Sequence, residues 1–152
     1  MELLDILDEN GVVTGSARRS VCHSGTFLLH AVVHVLVFDT AGRLFLQKRS
    51  MSKDIEPGKW DTSVGGHIMS GETTEEALQR ETTEELGIFP PVFERLYTHI
   101  SLNEFEREFV YSFRCVWDGD IHFEENEIDE VKPFTVSEIS ALLGSGFFTS
   151  SF

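Results

Sequence analysis

Cysteine is scarce: Cys22 and Cys115 are the two in the chain, too few for the disulfide framework of a small secreted domain. A reduced, cytoplasmic protein with both thiols buried is the expectation. Basic residues are also few, 12 Lys and Arg against 26 Asp and Glu, for a formal net charge of −14. Such a field repels phosphate polymers and argues against a nucleic-acid polymer as partner. It does not exclude a small phosphorylated ligand that meets a few local cations. No apolar run approaches the roughly 20 residues of a membrane span, and the start Met1-Glu2-Leu3-Leu4-Asp5 lacks the basic opening of a signal peptide. No membrane partner is expected. Repeats and linkers are missing too, so residues 1–152 read as a single domain, long enough to bury a core. Apolar residues are plentiful, at 41% with 13 Phe, as a globular fold requires.

The acids are concentrated where they matter most. Ser70-Gly71-Glu72 with Glu75 and Glu76 places carboxylates in a first helical turn, where they complement the helix dipole. Gly87 is a natural C-terminal cap, and Pro90-Pro91 forbids continuation. The pattern predicts a helix from about Thr73 to Leu86. On it Glu81, Glu84 and Glu85 fall at i, i+3 and i+4, on one face. Like charges at that spacing repel, and a hard divalent cation, Mg²⁺ or Mn²⁺, would turn the repulsion into binding. A solvated acidic face is the bland alternative for a bare ExxEE. Leu78, Thr82 and Leu86 make a neighbouring stripe that faces a sheet.

Along the chain, Leu3 to Gly15 reads as strand, Asn10-Gly11 turn and strand. Phe27 to Phe38 is the near-continuous apolar run of a strand buried on both faces. A turn at Asp39–Gly42 leads to a partner strand, Arg43 to Arg49, and Ser50 to Lys59 is a polar loop. Strands are expected at Val92–Ile100 and Glu106–Trp117, and a closing helix at Val136–Leu143. The acidic run Asp120–Glu130 is left as coil or fraying helix, and the Phe-containing tail is unassigned. The sum is an α+β fold, a mixed β-sheet with about two helices.

Gly66, five residues, Glu72, seven residues, Arg80-Glu81, two residues, Glu84-Glu85, one residue, Gly87-Ile88 resembles the signature of the Nudix superfamily. The one departure is Thr82, where the family usually has an aliphatic residue. The resemblance implies an α/β/α sandwich whose loop and helix carry the metal site. It also implies cation ligands at Glu81, Glu84 and Glu85, with Arg80 orienting those glutamates through an ion pair. Dimers are frequent among Nudix proteins, so a homodimer lies within what the resemblance implies.

A second likeness covers nearly the whole chain. His23, His30 and His67, with Glu106 and Glu108, resemble the metal set of the type I isopentenyl-diphosphate isomerases, which are Nudix relatives. Residues at the positions of Arg19, Arg49 and Lys53 contact diphosphate in that family, and Tyr97 lies close to the place of a catalytic tyrosine. Two departures separate the chain from those isomerases. Gly65 stands where they carry a catalytic cysteine, and glycine has no group to move a proton. Glu81 stands where they carry a basic residue. Both changes point to a hydrolase, in a Nudix subgroup that is isomerase-like in outline. The expected function is metal-dependent hydrolysis of a diphosphate bond in a nucleoside diphosphate derivative or nucleotide. Glu84, Glu85 and Glu108 are candidate bases, and Arg19, Arg49 and Lys53 hold the small-molecule diphosphate substrate. Isomerase-like activity and a non-catalytic ligand-binding role stay open as alternatives.

Overall fold

The computed structural model describes residues 2–150 and Phe152. Among these described residues, nine strands and three helices follow in order: β1 Leu3–Leu7, β2 Val13–Arg18, α1 Arg19–Cys22, β3 Leu29–Phe38, β4 Leu44–Arg49, β5 Trp60–Asp61, β6 Val64–His67, α2 Thr74–Leu86, β7 Glu94–Leu102, β8 Arg107–Val116, β9 Ile128–Phe134 and α3 Val136–Leu142. This is the mixed-sheet α+β architecture expected.

β3 is the axis of the sheet. One edge pairs in parallel with β8 over its whole length, from Leu29 opposite Arg107 to Phe38 opposite Val116. Its other edge is shared by three shorter antiparallel partners: β1 at His30, β6 from Val32 to Val35, and β4 at Val37 and Phe38. Alternation along β3 then divides the molecule into layers. Ala31, Val33, Val35 and Val37 face α2 and pack with Ala77, Leu78, Leu86, Phe109 and Phe113. Leu36 and Phe38 face the opposite way, into a smaller core of Leu44, Leu46, Trp60 and Phe134 covered by α3 and the tail. His30 and His34 share that second face, beyond the cover that α3 provides. The cleft opens there.

The ends of α2 are set locally. Thr73 and Glu76 form a reciprocal capping box, and Gly87 closes the helix at φ 62°, a left-handed conformation that glycine adopts without strain. Leu78, Thr82 and Leu86 are buried as predicted. The Thr82 hydroxyl donates to the carbonyl of Leu78 at 2.8 Å, so the residue that departs from the Nudix pattern hides no unsatisfied group.

Several elements differ from the sequence expectation. β3 begins at Leu29, because Phe27 has a φ of 51° and cannot extend the strand. β8 begins one residue later than predicted, at Arg107, with Glu106 at its mouth. The acidic stretch left open ends in a strand, β9, antiparallel to β4. Four-residue α1 and β6 carried no periodic signal.

Candidate active site

A cleft of about 690 Å³ collects side chains from both constellations and from the intervening loop. Its lining includes His23, His67, Glu106 and Glu108; Arg80, Glu81, Glu84 and Glu85; and Arg19, Arg49 and Lys53. His30 lies beneath, fully buried.

The histidine cluster is built by strand register. His67 on β6 pairs with Val32, and Glu108 on β8 pairs with His30, so these side chains share the face of β3 that carries His30. His23 arrives from the end of α1. The three rings sit with centroids 5.3–5.6 Å apart. Glu106 stands among them, its Oε1 at 3.2 Å from His30 Nε2, 3.3 Å from His23 Nε2 and 3.9 Å from His67 Nε2. Ligand atoms of His23, His30, His67 and Glu106 all lie within 4.8 Å of one another. His23 Nε2 and His67 Nε2 are buried yet lack hydrogen-bond geometry to any partner. Buried nitrogens without partners are costly, and three imidazoles with a carboxylate suit a divalent transition metal. The residues present therefore fit a cation.

The electrostatics agree with the geometry. Burial works to raise the Glu106 carboxyl, but the three imidazoles gathered around it, His30 through a hydrogen bond, hold it well below the usual carboxylate range. Glu108 beside it is pushed up, by burial first and then by the hydrogen bond and charge of Glu106. Burial lowers the pKa of His67, keeping its imidazole neutral and able to act as a ligand.

On α2 the picture differs from the bare spacing. Arg80 is the hub: it donates to Glu72 at 2.7 and 2.9 Å, to Glu81 at 2.6 Å and to the His67 carbonyl at 2.9 Å. It also reaches Glu84 at 3.4 Å. The counter-charge for Glu81 and Glu84 is thus already an arginine. Among the described residues the three helix glutamates do not themselves converge to ligand spacing, and Glu108 stands outside the histidine group. Glu85 is the acid left without a cation. It accepts from Gln47 Nε2 at 3.1 Å and the Gly65 amide at 3.2 Å, and burial and then the Glu81 charge push its pKa well up. Burial also raises Glu81, with Arg80 opposing. Glu72, held by the Arg80 hydrogen bonds, is lowered.

The two glycines before His67 serve opposite faces. Gly66, opposite Val33, looks toward α2, and a Cβ there would meet the Glu81 carboxyl at 2.1–2.4 Å. Only a bare backbone lets Glu81 reach the cleft. Gly65, opposite His34, looks into the cleft, where a Cβ would meet the His34 ring at 3.3 Å. The space that a proton-carrying side chain would occupy is bounded by an imidazole instead. His34 and Asp61, both lining the cleft, were not singled out from the sequence, and neither carries a motif.

The cations reach the cleft from separate elements, Arg19 from α1, Arg49 from the end of β4 and Lys53 from the loop that follows. Arg49 ends β4 and donates to the Ile55 carbonyl at 3.0 Å. Lys53 pairs with Glu127, and its pKa is lowered by burial and then by the charges of Arg49 and Arg19. That mutual repulsion is what an anion would relieve. Tyr97 does not join them. It lies on β7, exposed and tilted against the His99 ring, outside the cleft. Of the aromatics, Phe105 lines the cleft, while Trp60 is buried in the smaller core.

A family model described as the NUDIX domain matches residues 28–148. The chain belongs to the Nudix family. A Nudix hydrolase of Listeria monocytogenes is 32% identical over 163 residues, covering 100% of this chain and 90% of the relative. An isopentenyl-diphosphate Delta-isomerase of Streptomyces avermitilis is 31% identical, covering 99% of this chain and 79% of the relative. Among solved structures, that of DR0079 from Deinococcus radiodurans superposes with a TM-score of 0.83 at 27% identity, covering 97% of this chain and 92% of that one. The chain is accordingly a Nudix hydrolase, and the family hydrolyses nucleoside diphosphate derivatives with a divalent metal. Among the described residues no helix is long and apolar enough to cross a membrane, which says nothing of a β-barrel.

Proposed function

We propose that this Nudix hydrolase cleaves a diphosphate bond in a nucleoside diphosphate derivative or nucleotide, using Mg²⁺ or Mn²⁺. The observation that carries the reading is the cleft itself. It sets three cations, Arg19, Arg49 and Lys53, against the carboxylates of both constellations, and it offers no side chain at Gly65. When bound, a divalent cation neutralises phosphate charge and activates water. His23, His30, His67 and Glu106 would hold one such ion, with Glu108 beside it, and Glu81, Glu84 and Glu85 would hold another. Arg19, Arg49 and Lys53 bind and orient the diphosphate. Arg80 fixes Glu72 and Glu81 and so positions the helix carboxylates. Glu85 and Glu108 are acids whose environments oppose ionisation, which suits either to take a proton from water once a cation is near; Glu84, more exposed, is the third candidate.

The retained histidine set and the Streptomyces relative favour a second reading, isomerisation of isopentenyl diphosphate. Against it stand Gly65, the distance of Tyr97 from the cleft, and a lining whose apolar side chains are Val32, Ile55 and Phe105. One assay separates the two. The protein is incubated with Mg²⁺ or Mn²⁺ and a panel of nucleotide sugars, nucleoside di- and triphosphates, dinucleotides and isopentenyl diphosphate, with Glu85→Gln as control. Release of a monophosphate or inorganic phosphate that is lost in the control supports hydrolysis. Dimethylallyl diphosphate without phosphate release overturns it. Metal and ligand binding with no turnover would leave a non-catalytic protein.

A further inference from the structure

Two hydroxyls in the cleft wall have nothing to bond. Thr62 and Thr149 are 8% and 7% exposed, both line the cleft, and neither Oγ1 has a hydrogen-bond partner. Buried hydroxyls are ordinarily satisfied. Among the described residues, the other orphaned buried side-chain atoms are His23 Nε2 and His67 Nε2, which the proposed cation would satisfy. The threonines are the part of that orphan set which the metal does not explain.

Neither residue is free to shift its backbone. Thr62 follows β5, its amide donating to Asp61 Oδ1 at 2.7 Å. Thr149 is delivered by the C-terminal tail, which runs beside the same strand. The Thr149 amide donates to the Trp60 carbonyl at 2.9 Å, and the Trp60 amide donates to the Phe147 carbonyl at 3.1 Å. The Phe147 ring stacks on Trp60 with centroids 5.7 Å apart. Ser150 then donates through its amide and its hydroxyl to Glu56, at 2.9 and 2.8 Å. Glu56 belongs to the loop that carries Lys53, so the two hydroxyls adjoin the segment that holds phosphate.

We propose that Thr62 and Thr149 form a subsite for the hydroxyl-bearing, non-phosphate part of the substrate, the sugar of a nucleoside diphosphate or nucleotide sugar. This rests on the hydrolase reading above and deepens it. A threonine hydroxyl both donates and accepts, so it matches sugar hydroxyls in either sense. A prenyl chain offers neither and would leave both orphans buried. The tail is thereby a wall of the substrate site.

Calorimetric binding of ADP, inorganic pyrophosphate and isopentenyl diphosphate, in the presence of Ca²⁺, tests the assignment on wild type, Thr62→Val and Thr149→Val. Each variant should bind ADP roughly 3- to 10-fold more weakly, the scale of one neutral hydrogen bond, and pyrophosphate unchanged. Ser150→Ala, which loosens the tail, should reproduce the Thr149→Val pattern. Thermal melts should show both valine variants at least as stable as wild type, since each removes a buried unpaired hydroxyl. Equal losses on ADP and pyrophosphate would mean that the hydroxyls touch phosphate, and unchanged ADP binding would mean that they hold only water; either result overturns the subsite. Threonine-dependent ADP binding without turnover of any diphosphate would sink the hydrolase reading and leave the subsite standing. Turnover with no threonine dependence would do the reverse.

Discussion

Replacing Arg80 by alanine is expected to cost about 2–4 kcal/mol of stability at pH 7.5. The guanidinium satisfies both oxygens of Glu72, one of Glu81 and the His67 carbonyl, while its side chain is 22% exposed and those of Glu72 and Glu81 are 14% and 12% exposed. Removing one partner of a buried ion pair costs about 3–5 kcal/mol, because the other partner is left charged and unpaired. The residual exposure at Arg80 lets water recover part of that. Over 152 residues, the loss corresponds to a fall in Tm of about 5–15 °C. The pH dependence has a definite sign. Arg80 depresses the folded-state pKa of Glu72, so this contribution is present above the ordinary carboxylate value of 4.5 and is lost as pH falls through the depressed one. In the variant both Glu72 and Glu81 take up protons more readily, so wild type and variant should converge in acid. Urea denaturation in metal-free buffer at pH 7.5 and pH 4 measures both effects. Arg80→Lys should recover less than half the loss, since an ammonium cannot span Glu72 and Glu81 together. A loss below about 1 kcal/mol at pH 7.5, or an equal loss at the two pH values, would refute the hub.

Gly66→Ala should fold but lose most of its activity, because the new methyl displaces the Glu81 carboxyl; a kcat within about threefold of wild type, under 1 kcal/mol of barrier, would show that Glu81 has another way in. Glu85→Gln should abolish turnover yet raise Tm in metal-free buffer, since it removes a carboxylate that burial and Glu81 both oppose; a lower Tm would contradict that account. Mn²⁺ at about 100 times its Kd should stabilise wild type by about 2.7 kcal/mol. Glu106→Gln should lose most of that shift in differential scanning calorimetry, and an undiminished shift would place the ion elsewhere.

The helix and its acids were legible because their signals are local. Thr73, Glu76 and Gly87 fix the ends of α2, and spacing alone puts Glu81 and Glu85 on one side. The resemblance grouped His23, His30 and His67, which the sheet brings together from α1, β3 and β6. β9 was hidden because its buried positions, Ile128 and Phe134, do not alternate cleanly and Pro133 interrupts the run; its register slips opposite Lys48 and Arg49. The Arg80 hub was half visible: its pairing with the helix glutamates was expected, but the fork onto Glu72, eight residues earlier, depends on how the loop folds back. Thr62 and Thr149 could not be found by pattern, since burial without a partner is a property of the assembled cleft.

The full-length parallel pairing of β3 with β8 has a consequence for how the molecule comes into being. Leu29 meets Arg107 and Phe38 meets Val116 only after a loop between positions 78 apart in sequence has been closed. Contacts of such long sequence separation place folding toward the slow end of the scale for domains of this size. His30 and Glu108 are neighbours across that seam, and His23 and Glu106 flank it. During synthesis the acidic helix can form while the cleft does not yet exist, and the site closes only when β8 docks. An ion held between the histidines and Glu106 would then act as a clasp on that long-range seam, favouring a chain in which β8 has docked over one in which it has not.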